Sequence, residues 1–311
     1  MKRLILTLFI PFALFGSNSL GLEWRSVPEE QNGLKLLAEV HEEASLLESA
    51  DFYDIIDAYE EKKKWNEREV AELLENSFQI EAQVRKALKC KIWQVDGFYT
   101  PDTSAPELDA FHIWTAALKV RFQTCLISNS PEEAYINCRD LSYSGHMMMG
   151  AKGGTLHFLV GLSAYSRGLE LLSELKSSYA DIDFVDFRIP RADLKELYRD
   201  AIRHEYGSAL NVVDYLVQQL ENEGHESERA LIQIEATKEL IAEAYQEALD
   251  SSFREPSEYK IEKRERIEKL IEERLLPANA KNAAGLKLLT LLNWHPEEIW
   301  ALVMKRSAKD E

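Results

Sequence analysis

Positive charge is the scarcer sign in this 311-residue chain: 37 Lys and Arg stand against 54 Asp and Glu, a net charge of −17. Binding to a phosphate backbone requires clustered cations that displace counterions, so composition argues against nucleic acid as a partner. Glycine (13) and proline (9) are sparse, which excludes collagen-like or flexible-linker architectures. The three cysteines lack CxxC or CxxCH context, which argues against thioredoxin-type and haem-attachment chemistry. Alternating strand-like runs and a convincing fixed-period repeat are also missing. What remains is 45% hydrophobic and 29% charged residues, the balance of an ordinary globular chain.

Residues 1–19 read MKRLILTLFIPFALFGSNS. Lys2 and Arg3 precede an apolar run from Leu4 to Phe15, and the small residues Gly16, Ser17 and Ser19 follow. That is the layout of a secretory signal peptide cleaved after Ser19. The run contains Pro11 and falls short of the roughly 20 apolar residues of a bilayer span. The expectation is export to the periplasm or the extracellular space, with no transmembrane segment after cleavage. The domains expected are the signal peptide (1–19), a helical core (20–224) and a C-terminal helical extension (225–311) packed on the core.

In an oxidising compartment, three cysteines can form one disulfide and leave one thiol over. Cys125 and Cys138 flank the break Ser128-Asn129-Ser130-Pro131 and are the candidate pair, clamping a helical hairpin. So short a loop would contribute about 3 kcal/mol. Pairing of Cys90 with either, or three reduced thiols, stays open.

Helical periodicity dominates after residue 32. Helices are expected over about 33–48, 51–64, 66–92, 107–127, 131–149, 155–176 and 191–222, with further helices broken at Pro256, Pro277 and Pro296. Ser130-Pro131-Glu132 reads as cap, first-turn proline and acidic first turn. The loop 178–190 carries apolar plugs at Ile182, Phe184, Phe187 and Ile189. The charged stretch 258–275 reads as a solvated helix face. Residues 155–164 are apolar around most of the circumference, the mark of a central buried helix. Gly154, Gly161 and Gly168 recur on one side of it, where another helix can approach closely. The fold class expected is all-α: an irregular bundle of about nine to eleven antiparallel helices around the central helix 155–176.

Four stretches together resemble a family of exported all-helical bacterial proteins with no assigned activity. They are Val27-Pro28-Glu29-Glu30-Gln31-Asn32, the Leu118–Ser142 helix pair, the run Gly153 to Gly161, and Ile202-Arg203-His204-Glu205-Tyr206. The resemblance covers about residues 70–220 and consists mostly of packing patterns. It implies export and a helical fold, and nothing catalytic.

The motifs of metal and nucleophile chemistry fail one by one. Each of the three His-Glu pairs needs a second His four residues after the first for zinc, but Ser45, Ser208 and Arg229 stand there. Only Asp109 with His112 approaches the carboxylate-x-x-His spacing of di-metal bundles. In Gly145–Thr155 the order of Gly, Lys and Thr departs from a phosphate-binding loop. Met147, Met148 and Met149 beside His146 diverge by about 100° per residue and read as core, not a copper site. Asp181, Asp183 and Asp186 lack the glycine and distal Glu of a calcium loop. Gly161-Leu-Ser163-Ala-Tyr165 lacks the closing glycine of a nucleophile elbow. No metal or cofactor is expected.

Two glutamates fall on apolar helix faces: Glu81 among Val70, Leu74, Val84 and Leu88, and Glu205 among Leu194, Tyr198, Ala201, Ala209, Val212 and Leu216. A buried carboxylate must be paired, hydrogen-bonded or protonated. Either glutamate is therefore a candidate general acid, and His157 and Arg167 are candidate partners for Glu205. The favoured reading of both is structural, a buried ion pair or helix-end hydrogen bond that fixes the packing, because such networks perturb carboxylates just as active sites do. The function expected is a non-enzymatic interaction or scaffold protein of the cell envelope, its partner a protein or other envelope component. The alternatives are a periplasmic hydrolase using Glu81 or Glu205, and a small-ligand or lipid carrier with a cavity beside the 155–165 helix.

Overall fold

The computed structural model describes residues 27–47, 67–95, 104–226 and 233–251. The signal-peptide stretch, the helix expected over 51–64, Asn66, the segment 258–275 and the breaks at Pro256, Pro277 and Pro296 lie outside the described residues. Among the described residues there are nine α-helices and no strand. They are α1 (Gly33–Ala38), α2 (His41–Leu47), α3 (Glu67–Asn76), α4 (Phe78–Ala87), α5 (Pro106–Ile127), α6 (Pro131–Met149), α7 (Thr155–Ser178), α8 (Arg191–Asn222) and α9 (Ile234–Ser251). The chain is all-α, as its periodicity indicates.

Prolines and glycines punctuate it. Pro106 and Pro131 stand in the first turns of α5 and α6, where the missing N–H has no intrahelical acceptor to lose. Pro190 precedes α8, and Gly224, at φ +75°, ends it. Ser130 departs from its expected role, since its side chain caps nothing in α6; its hydroxyl instead accepts from Ser128 Oγ at 3.3 Å.

Two expected helices are divided. Over 33–48 the chain turns at residues 39–40, between α1 and α2. The helix expected over 66–92 is split at Ser77 into α3 and α4, where the single Ser77 hydroxyl proton is shared between Leu74 O and Glu81 Oε1, both at 3.0 Å. Back-bonding of this kind bends helices. α4 stops at Ala87 because the next residues are held by tertiary bridges, Ile92 to Asn32 and Gln94 to Lys152. Asn32 does the tying: Nδ2 donates to Gln94 O (2.6 Å), while Oδ1 accepts from Gln94 N (3.0 Å) and from Leu34 N at the start of α1 (3.2 Å).

α7 lies between two apolar clusters. One gathers α1 to α6 with Ala164, Leu171, Leu172 and Leu175 of α7; the other joins Phe158, Leu162 and Tyr165 to α8 and α9. The adjacent methionines separate between them, Met148 to the first and Met149 to the second, as their 100° divergence requires. α7 is central but not buried on every side, for Leu156 and Ser163 are exposed and Leu159 and Val160 half-buried. Of the loop plugs, Phe184 is buried and stacks on Tyr135 with ring centroids 5.5 Å apart, whereas Ile182 is exposed.

Two of the three α7 glycines work as close-approach positions. A Cβ on Gly161 would collide with the backbone of Gly145 and Met149, and one on Gly168 with Cys138 O and Ser142. α6 therefore runs antiparallel to α7 with backbones nearly touching. Gly154 serves otherwise: it precedes α7 at φ +83°, a conformation glycine tolerates, facing the Glu205 carboxylate.

Candidate functional site

Glu81 is buried on α4, and one of its carboxylate oxygens has two partners. Oε1 accepts from Arg121 Nη2 of α5 at 2.6 Å and from Ser77 Oγ at 3.0 Å. The guanidinium neutralises the carboxylate where water cannot, and the pair joins α4 to α5.

The densest polar grouping surrounds the first turn of α7. His157 is fully buried, with Nδ1 2.8 Å from Gly153 O and Nε2 2.7 Å from Glu107 Oε1 in the first turn of α5. A carbonyl oxygen only accepts, so Nδ1 carries a proton and donates it. The second separation also needs a proton between nitrogen and carboxyl. Imidazolium facing carboxylate satisfies this, as does neutral imidazole accepting from a carboxylic acid; either way the pair has no net charge. His204 of α8 is buried nearby, and burial first, then Lys152 and His157, pushes its pKa down to about 4. It is therefore neutral at pH 7.

Glu205 has a different partner from those expected. Neither His157 nor Arg167 meets it: His157 is taken by Glu107, and Arg167 bonds Glu170 at 2.9 Å. Glu205 Oε2 instead accepts from the Thr155 backbone N–H (3.1 Å) and hydroxyl (2.9 Å). α7 begins after a glycine that offers no capping side chain, so α8 supplies the acceptor. An anion there also meets the positive end of the helix dipole. Tyr245 of α9 lies close enough for Glu205 to reinforce the rise in its pKa that burial causes.

The expected Cys125–Cys138 bridge is not formed, and Cys90, Cys125 and Cys138 are all free thiols. Cys125 Sγ, near the end of α5, donates toward Glu133 Oε2 (3.9 Å) and accepts from Asn137 Nδ2 (3.7 Å). Cys138 follows Asn137 by one residue, about 100° further round the helix, and is buried in the core. Burial pushes both thiols up. Asp109 pairs with His41 Nδ1 of α2 at 2.7 Å. Among the described residues no group of three or more His, Cys, Asp or Glu is placed to hold a metal ion, and no helix is long and apolar enough to cross a membrane.

Beside α7, the described residues form a groove of about 730 Å³ between α5 and α7. Phe111 and Ala164 form its buried floor, Leu159 and Val160 half-buried walls, and Lys119, Arg167 and Glu170 its far end. None of the glutamates or histidines at the α7 N-terminus lines it. The sequence reading missed Glu107, Arg121 and this groove. Only Glu107 left a signal, as an acidic residue following a first-turn proline, and that pattern has an ordinary helix-start explanation. Comparison of the chain with protein-family models, with curated proteins and with solved structures finds no match.

Proposed function

We propose that the chain is an exported, non-catalytic binding protein of the cell envelope. The observation that carries this reading is that Glu81, Glu205 and His157 are each engaged by a partner within the fold, Arg121, Thr155 and Glu107 respectively. A general acid must reach a substrate, and the buried Glu81 and His157 have intramolecular partners in its place. The test is site-specific photocrosslinking in intact cells from Ile136 and Tyr143, exposed positions two turns apart on α6. A discrete adduct with one envelope component supports the reading; no adduct from either position counts against it. Glycan hydrolysis abolished by Glu81→Gln would replace it with the hydrolase.

A second reading, a carrier of a small ligand, is favoured by the α5–α7 groove. Its volume lies within the usual range for small-molecule clefts, about 300–1,000 Å³, and it runs beside the 155–165 stretch where a carrier would need space.

A further inference from the structure

We propose that the α5–α7 groove binds a small neutral saccharide, a ligand hydroxylated along its whole length. This rests on the carrier reading and names its ligand class. The argument is the spread of polar groups along the groove. His112, Thr115 and Lys119 line it from α5, and Ser163, Ser166, Arg167 and Glu170 line it from α7. Residues three, four and seven apart share one helix face, so each wall carries a polar stripe about 10 Å long by helix rise. Between the stripes lie the buried Phe111 and Ala164 and the half-buried Leu159 and Val160. A ligand polar at one end only would leave half of each stripe facing an apolar body.

The charged groups do not call for a counterion. Arg167 bonds Glu170 at 2.9 Å, and His112, Lys119 and Arg167 each have further interactions within the protein. An acid ligand would compete for cations already engaged and would meet the Glu170 side chain, which is 58% exposed. What the lining offers is hydroxyl chemistry. Thr115 donates its proton to His112 O at 2.9 Å, which leaves its oxygen to accept. Ser163 is exposed and Ser166 half-buried, and a serine hydroxyl both donates and accepts. Glu170 bonds Arg167 through Oε2, so Oε1 can accept as well. Sugar hydroxyls donate and accept in the same way, and the C–H face of the ring can lie on Leu159 and Val160.

The experiment is saturation-transfer NMR on the full-length protein with maltose, cellobiose and lactose, and with decan-1-ol as the apolar control. At least one disaccharide is expected to bind, and more tightly than the alcohol. Ser163→Ala should weaken that disaccharide about fivefold, the worth of one neutral hydrogen bond. Glu170→Ala should weaken it about tenfold, because a charged acceptor bonds more strongly. Ser163→Trp, at an exposed wall position, should block binding; the alanine variants carry the test if this one does not fold. Binding of the alcohol without any disaccharide would overturn the ligand class while leaving a carrier. No binding of any probe would overturn the carrier reading too. Disaccharide binding indifferent to all the variants would place the ligand elsewhere and overturn the groove.

Discussion

The two flanks of α7 are built on opposite principles. Toward α6, Gly161 and Gly168 remove the side chains, and Gly145 answers from the other helix, so backbone meets backbone. Toward α5, the first turns are tied by the ends of two side chains, Glu107 and His157. Beyond that pin the space between Phe111 and Arg167 is open as the groove. The separation of a helix pair follows the size of the side chains at the contact. A pin made of two full side chains holds the axes apart, so the tie that joins α5 to α7 also keeps the groove from closing.

The comparison breaks most severely if the pin is not essential. Glu107→Ala leaves His157 buried with an unmatched ring nitrogen and should cost about 3–5 kcal/mol, read by denaturant unfolding. Replacing Glu107 and His157 together with leucine should recover most of that loss, because desolvation of both partners is then avoided. A single variant as stable as the wild type would mean that the pair holds nothing.

Acid should loosen the same end of α7. The folded-state pKa of His204 is lowered to about 4 from an ordinary 6.5, so the unfolded chain binds the extra proton between these values. Its contribution is therefore fully present above pH 6.5 and is lost as pH falls toward 4, about 3 kcal/mol in all. Thermal melts at pH 7.5, 5.5 and 4.5 should show this slope in the wild type and a shallower one in His204→Gln.

On the α6 flank the sharpest test is one of sign. Helix propensity alone makes Gly161→Ala stabilising by about 1 kcal/mol. Close packing makes it destabilising by about 2 kcal/mol, since the added carbon meets backbone that cannot swing away. A raised melting temperature would show that the helices are not in backbone contact. Ser163→Ala, on the groove side of the same turn, should move stability by less than about 0.5 kcal/mol.

The smallest effect concerns Glu205. As a cap supplied by α8, it should cost about 1 kcal/mol on change to Ala, measurable as a modest fall in melting temperature. A loss several times larger would restore the buried-ion-pair reading that its apolar helix face first suggested.

Much of the scaffold is legible because helix-forming information is local. The 3.6-residue stripes, Pro106, Pro131, Pro190 and Gly224 mark starts and stops wherever no other part of the chain intervenes. The divided helix at Ser77 and the early end of α4 at Ala87 were not legible, since each depends on a bond to a particular hydroxyl or a distant segment. The candidate site was half legible. Burial of Glu81 follows from its own helix face, but Arg121 as its partner depends on how α4 packs on α5. For Glu205 a clue was present: Gly154 leaves α7 without a cap of its own, so an outside acceptor was to be expected at Thr155. The cysteine pairing failed for a related reason, because proximity in sequence around a tight turn does not turn two side chains toward each other.

By itself, the sequence determined an acidic all-α chain, the central place of residues 155–176, and the glycine face that α6 meets. These rest on composition and on periodicity within a few residues. The tertiary structure alone decided that Glu107 rather than Glu205 answers His157, that Cys125 and Cys138 stay free, and that α5 and α7 line a groove. Those outcomes depend on the relative register of separate helices, in the case of Glu107 and His157 across 50 residues, which the local pattern of a single helix does not encode.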